Sequence, residues 1–115
     1  MIPSVTESAS NRFSAYVSTW KDLTLEDIGQ PADVAGIAER SVQVEGEFNG
    51  ATVVIEGSND GLYYHVLNSH HGIGLTFGMP GLESVEEAVR FIRPRIDCGT
   101  AETKITVSLF TRGGR

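Results

Sequence analysis

The run Ser41-Val42-Gln43-Val44-Glu45-Gly46-Glu47-Phe48-Asn49-Gly50-Ala51-Thr52-Val53-Val54-Ile55-Glu56-Gly57-Ser58-Asn59-Asp60-Gly61 reads as strand, turn, strand, turn. From Ser41 to Phe48 the apolar or small residues Val42, Val44, Gly46 and Phe48 alternate with Ser41, Gln43, Glu45 and Glu47. A period of two buries one set and wets the other, because successive strand side chains point to opposite faces. Asn49-Gly50 supplies the two positive-φ residues that a type I′ turn requires, so a hairpin is expected there. Ala51 to Gly57 is the return strand, with Val53 and Ile55 on one face. Ser58-Asn59-Asp60-Gly61 is a second turn, leading into a third strand from Leu62 to Leu67. The expectation is a β-meander of two consecutive hairpins.

Strand signals continue on both sides. Phe13 to Leu23 mixes aromatic and β-branched residues and suits a strand. Leu25 to Ala38 carries Gly29, Pro31 and Gly36 and reads as a long loop with a short strand near Val34. Downstream, Asn68 to Gly74 is loop and Leu75 to Phe77 a short strand. Between Leu82 and Arg93, Ser84 and Glu87 have capping-box spacing, and Val85, Val89 and Ile92 fit a helix. The β-branched residues and Pro94 oppose this, so the expectation is a turn near Ser84–Ala88 and a strand through Ile96. Pro94 has no amide hydrogen, which places that part of the strand at an edge or bulge. Thr103 to Thr111 is the last strand, with Ile105, Val107 and Leu109 inward.

Thirteen glycines in 115 residues fit many turns between short strands. The expected fold is all-β: an antiparallel, jelly-roll-like β-sandwich of seven or eight short strands. Residues 1–12, Ser/Thr-rich and weakly apolar, read as an extended N-terminal arm, and residues 13–115 as the sandwich domain.

The formal charge is −6, which argues against a nucleic-acid partner, since phosphate contact needs clustered Lys and Arg. The charge is divided along the chain. Residues 1–60 hold 3 basic and 10 acidic side chains, net −7; residues 61–115 hold 6 and 5, net +1. Arg90, Arg93 and Arg95 concentrate the positive charge, with Arg112 and Arg115 near the end. Such halves suit contact with a neighbouring copy or a basic patch on a larger partner. Arg90, Arg93 and Arg95, with the aromatic residues Phe13 and Trp20, are therefore the candidate partner-binding residues. No apolar run approaches the ~18 residues of a membrane span. Met1 to Asn11 lacks the basic and apolar regions of a signal peptide, and the single cysteine has no internal partner. Assembly in a reducing cytoplasm is expected.

No catalytic constellation stands out. Catalysis needs a nucleophile, a base and a group to orient it. His65 alternates on a strand, and His70-His71 lie adjacent in a loop, where extended side chains diverge instead of chelating. Cys98 is expected as a small core residue. Asn59-Asp60-Gly61 resembles part of a calcium loop, but position twelve from Ser58 is Ser69 where a bidentate Glu is needed. Gly72-Ile73-Gly74 lacks the third glycine of a dinucleotide fingerprint. The expectation is a protein with no enzymatic activity, cofactor or metal. Tyr63 and Tyr64 beside the Ser58–Gly61 turn offer surfaces on which a sugar could stack.

The stretch Gly46 to Gly61 resembles a group of small tailed-phage virion proteins with the pattern GxFxGATVxxxGSNDG. The resemblance runs with gaps from Ser41 to Phe110 and includes Trp20–Leu23. It implies a head decoration (cement) protein: a β-sandwich on the capsid surface of the virion that joins neighbouring major capsid protein subunits. A homodimer or small homo-oligomer fits this role, through an exposed edge strand. A tail or connector subunit is an alternative within the same resemblance. The GSNDG part alone is also similar to discoidin-type carbohydrate-binding sandwiches. The resemblance implies no catalytic residues.

Overall fold

The alternating pattern of Ser41–Phe48 lies on a strand longer than the pattern itself. The computed structural model describes residues 4–9 and 15–113, and in these the strands are β1 Thr6–Ala9, β2 Ala15–Leu23, β3 Ala32–Asp33, β4 Ile37–Glu47, β5 Ala51–Ser58, β6 His65–Val66, β7 Thr76–Phe77, β8 Gly81–Ser84, β9 Phe91–Cys98 and β10 Lys104–Gly113. All pairings are antiparallel. One sheet has the order β1-β2-β10-β4-β8, and the other β3-β9-β5-β6, with β7 also on β5. Leaving out β1, these are the two interleaved sheets of a jelly roll. The all-β sandwich expected from the sequence is present, with ten strands among the described residues against the seven or eight expected.

The first hairpin of the expected meander does not exist. The turn itself is as read: Asn49 and Gly50 have φ of 48° and 84°, and the Ala51 N–H donates to the Phe48 carbonyl at 2.9 Å. Yet β4 and β5 belong to different sheets. The turn is a corner between layers. β4 pairs with β10 and β5 with β9, so the two arms of the corner each find a distant partner. The second hairpin is real but short, with Glu56 opposite Val66 and Gly57 opposite His65.

A second corner, from β9 to β10, runs beside the first. Cys98 and Gly99 take positive φ, 63° and 98°. The Thr103 hydroxyl donates to the Phe48 carbonyl at 2.9 Å and accepts the Thr100 N–H at 2.9 Å. Asn49 Nδ2 donates to the Glu102 carbonyl at 3.1 Å. Cys98 is exposed at this corner, so the expected core role does not hold. The left-handed turn that redirects the chain carries its side chain outward.

The core lies between the sheets. Val42, Val44, Trp20, Leu23, Ile105, Val107 and Leu109 line it from one side, and Val53, Ile55, Phe77, Ile92 and Ile96 from the other. Each such side chain contributes roughly 1.5–3 kcal/mol on burial. Pro94 sits on β9 between neighbours. Its carbonyl accepts the Gly29 N–H at 2.9 Å, and β3 begins only at Ala32. The irregular stretch opposite the proline tolerates its missing donor. Within residues 1–12, Thr6–Ala9 pairs with β2, and Val5 packs against the core.

The corner strands leave no room for side chains at Gly46. Its φ is 127°, and a Cβ there would stand 2.2 Å from the Lys104 carbonyl oxygen. Gly46→Ala is expected to lower stability by at least about 2 kcal/mol. Thr103→Val, which removes both corner hydrogen bonds of a buried hydroxyl, is expected to cost about 1–3 kcal/mol. Urea unfolding midpoints check both.

Candidate functional site

The second turn becomes a rigid projection. Asp60 Oδ1 accepts the Ser58 hydroxyl at 2.8 Å and the backbone N–H groups of Leu62 and Tyr63 at 2.8 and 3.0 Å. Ser58 Oγ in turn accepts the Gly61 N–H at 2.9 Å. The amides of Tyr63 and Leu62, followed by the Ser58 hydroxyl, hold the Asp60 carboxyl down at about 2, well below the usual carboxylate range. The turn therefore stays clamped at neutral pH, and it displays Leu62 and Tyr63 at 77% and 73% exposure.

Beside the turn lies an open cleft of about 510 Å³. Gly57, Leu67 and Val89 line its apolar part, and Asn59, Asp60, His65 and Glu87 its polar part, with Tyr63 and Val66 also on its walls. The Glu87 wall is fixed. Its carboxylate accepts the Asn68 N–H and Nδ2 at 2.8 and 2.6 Å, and its backbone carbonyl accepts Arg40 Nη2 at 2.7 Å. Partial burial raises the Glu87 pKa, but the two Asn68 bonds outweigh it and leave the group below its ordinary value. Burial likewise lowers the pKa of the Arg40 guanidinium.

The three candidate arginines stand behind this turn. Glu56 on β5 faces Arg93 on β9 in direct register. Arg93 Nε donates to Glu56 Oε1 at 3.1 Å, and Arg95 Nε to Oε2 at 2.9 Å. The Glu56 side chain is only 9% exposed, so the two guanidinium groups offset a desolvation cost that an unpaired carboxylate could not meet. Arg93 also lies over the Tyr64 ring, 3.7 Å from its centroid. Burial raises the Tyr64 phenol's pKa, with Arg93 opposing it. Arg90 approaches Asp33 at 3.4 Å, and its backbone N–H donates to Asn59 Oδ1 at 3.2 Å. Thus Arg93 braces the turn through Tyr64 and Arg90 through Asn59.

These contacts revise the sequence reading. Asp33, Glu56 and Glu39 come from the acidic first half, and they pair with Arg90, Arg93, Arg95 and Arg112 from the basic second half. The two halves are thus partly paired within one chain: Arg93 and Arg95 engage the buried Glu56, while Arg90 and Arg112 stay half-exposed in their pairs. Trp20 is not available to a partner: it is 1% exposed, and its indole N–H donates to the Gln30 carbonyl at 2.8 Å. Its place at an inward position of β2 dictates this. Phe13 lies outside the described residues. Among the described residues, no cluster of His, Cys, Asp and Glu is arranged to hold a metal ion. His70 Nε2 lies 3.4 Å from Glu86 Oε1, and both side chains are exposed. The exposed Leu62 was not singled out in the sequence reading. The Ser58-Asn59-Asp60-Gly61 turn that displays it was the available signal.

No protein-family model matches the chain. No curated protein matches it in sequence. Among solved structures it is similar to the SPBc2 prophage-derived protein YomS, with a TM-score of 0.62 over 84% of this chain and 93% of that one, at 8% identity. The likeness is one of fold.

Two outcomes follow from the clamp and its brace. The Asp60 carboxyl is expected to titrate near 2 by NMR. Because its folded-state value is depressed, the clamp's contribution is complete above the unfolded value of 3.8 and disappears as pH falls through about 2. Slow amide exchange at Leu62 and Tyr63 should follow that window and be absent in Asp60→Ala. Removing both arginines (Arg93→Ala with Arg95→Ala) is expected to destabilise by about 3–5 kcal/mol, because Glu56 is then buried without a partner. Urea denaturation measures it, and a near-zero change would refute the role given to Glu56.

Proposed function

We propose that this chain is a structural protein of a tailed-phage particle. It decorates the head, binding the shell of major capsid protein non-covalently and stabilising it. Its place is the capsid surface of the virion, reached by assembly in the host cytoplasm.

The observation that carries the reading is the Asp60-clamped turn. A partner surface gains most from exposed apolar anchors that are already ordered, because binding then costs little conformational entropy. Leu62 and Tyr63 meet that description: their backbone amides are tied to one carboxylate while their side chains stand in solvent. Support for the phage setting comes from the jelly roll shared with a prophage-derived protein and from the GxFxGATVxxxGSNDG resemblance. Binding and stabilising a shell calls for a rigid scaffold and a complementary anchor, and no bond need be made or broken.

A second reading rests on the cleft. Tyr63 beside Asn59, His65 and Glu87 offers an aromatic face with polar groups, the usual furniture of a sugar site. It is distinguished by the ligand that binds.

The test uses particles of the encoding phage grown without this gene. Added wild-type protein is expected to co-sediment with the heads and to raise the temperature at which they release DNA. Leu62→Ala with Tyr63→Ala is expected to weaken co-sedimentation at least ~10-fold without changing the unfolding transition. Leu25→Ala, an exposed apolar residue outside the turn, serves as the control. Failure of the wild-type protein to bind heads overturns the decoration reading. Binding on a glycan array, abolished by Tyr63→Ala and without head binding, replaces it with the second.

A further inference from the structure

We infer that the cleft beside the Asp60 turn receives an arginine side chain of the partner protein that Leu62 and Tyr63 contact. The inference rests on the reading of this turn as a partner surface, and it names the chemistry that the partner must present there.

The cleft opens at one end of the core. Gly57 lies on the same face of β5 as Val53 and Ile55. A Cβ on it would stand 2.7 Å from Leu67 Cδ2 and 2.8 Å from Val89 Cγ2. The missing side chain lets these two residues close over the strand and form an apolar floor. Around that floor stand the carboxylates of Asp60 and Glu87 and the side chain of Tyr63, in a space of about 510 Å³. Among the described residues, no lysine or arginine lines it.

Both carboxylates are fixed and have room for a further donor. The bonds that Asp60 accepts within the turn fall on Oδ1, which leaves Oδ2 for a group from outside. Each Glu87 oxygen accepts one bond from Asn68 and keeps a lone pair. Arg40, behind this wall, donates to the backbone carbonyls of Glu87 and Ile37 and not to the Glu87 carboxylate.

The chain itself shows what completes such a set. At Glu56, Arg93 donates to the carboxylate at 3.1 Å and lies over the Tyr64 ring, 3.7 Å from its centroid. The cleft presents carboxylates and a tyrosine without the cation. A guanidinium can fork to a carboxylate and stack on an aromatic ring, while its methylene stem covers apolar surface. A neutral ligand would strip water from two carboxylates and return no charge. Charge complementarity therefore selects a cationic occupant, and the floor and ring select one with a long apolar stem and a flat head.

NMR titration of the isotope-labelled full chain with Nα-acetyl-arginine methylamide tests the inference. It uses no phage particles, so its outcome is separate from head binding. The Leu67, Glu87 and Val89 amide signals are expected to move with a Kd on the order of 1–10 mM, weakening about threefold between low and physiological salt. The citrulline analogue, of the same shape without the charge, is expected to bind at least ~10-fold more weakly. Glu87→Gln, which keeps an acceptor for Asn68, is expected to weaken arginine binding about fivefold, and Glu86→Gln, outside the cleft, to leave it unchanged. The comparison of the two probes on the wild-type chain decides the matter even if Glu87→Gln fails to fold. Equal binding of both probes, an unchanged Kd in folded Glu87→Gln, or no shifts up to about 50 mM arginine probe would each overturn the inference. So would a neutral oligosaccharide that moves these amides where the arginine probe does not. Arginine binding by a chain that leaves heads bare supports the cleft's chemistry and overturns only the decoration reading.

Discussion

The structure depends on two neighbouring corners that carry the chain from one sheet to the other. At Phe48–Ala51 the chain leaves β4 for β5, and at Cys98–Thr103 it leaves β9 for β10. Because β4 pairs with β10 and β5 with β9, one long antiparallel ribbon is folded over on itself at these corners. The Thr103 hydroxyl and the Asn49 amide tie the two bends together, so neither can open without the other. All the remaining strands but β1, which pairs with β2, attach to the edges of this folded ribbon. β2 and β3 flank it on one side, and β8, β6 and β7 on the other.

Why the alternation was legible while the pairing was not follows from what each signal encodes. Period-two patterning reports which face of a strand is buried, and Val42 and Val44 on β4 and Ile105, Val107 and Leu109 on β10 all point into the core as their spacing requires. Asn49-Gly50 reports local dihedral angles, and those are as read. Neither signal says whether the two arms of a turn stay together. A clue lay in β5, whose sequence Ala-Thr-Val-Val-Ile-Glu-Gly-Ser barely alternates. Val54, Glu56 and Ser58 are buried on its outer side as Val53 and Ile55 are on its inner side. A strand covered on both faces and flanked on both edges is central, and a simple meander offers no such place.

The charge arithmetic misled for a related reason. Net charge per half of the chain is a property of the surface only if the halves form separate surfaces. Here the roll interleaves them: Glu56 and Arg93 are far apart in sequence and opposite one another in register. Their attraction is satisfied internally, and it braces the turn that the second hairpin presents. Arg90, Arg93 and Arg95 were thus visible in sequence as a cluster, but their role as supports for Tyr64 and Asn59 required the register. Trp20 shows the opposite limit, since a lone aromatic on a strand is assigned inward or outward only by the phase of its neighbours.

The large apolar side chains that stay outward after these internal satisfactions fall at several places, among them the Asp60 turn, Ile73, Met79 and the outer face of the five-stranded sheet. The Asp60 turn offers Leu62 and Tyr63, protruding side chains that can enter a pocket on another protein. The outer face of the five-stranded sheet carries a groove between Leu82 and Phe110, with charged residues toward both ends of its strands. The two sit on opposite layers of the sandwich, because β5 carries the turn and β10 carries the face, and these strands belong to different sheets. A contact at one does not obstruct the other. The folded ribbon produces that separation by placing β4 and β5, and likewise β9 and β10, in opposite layers.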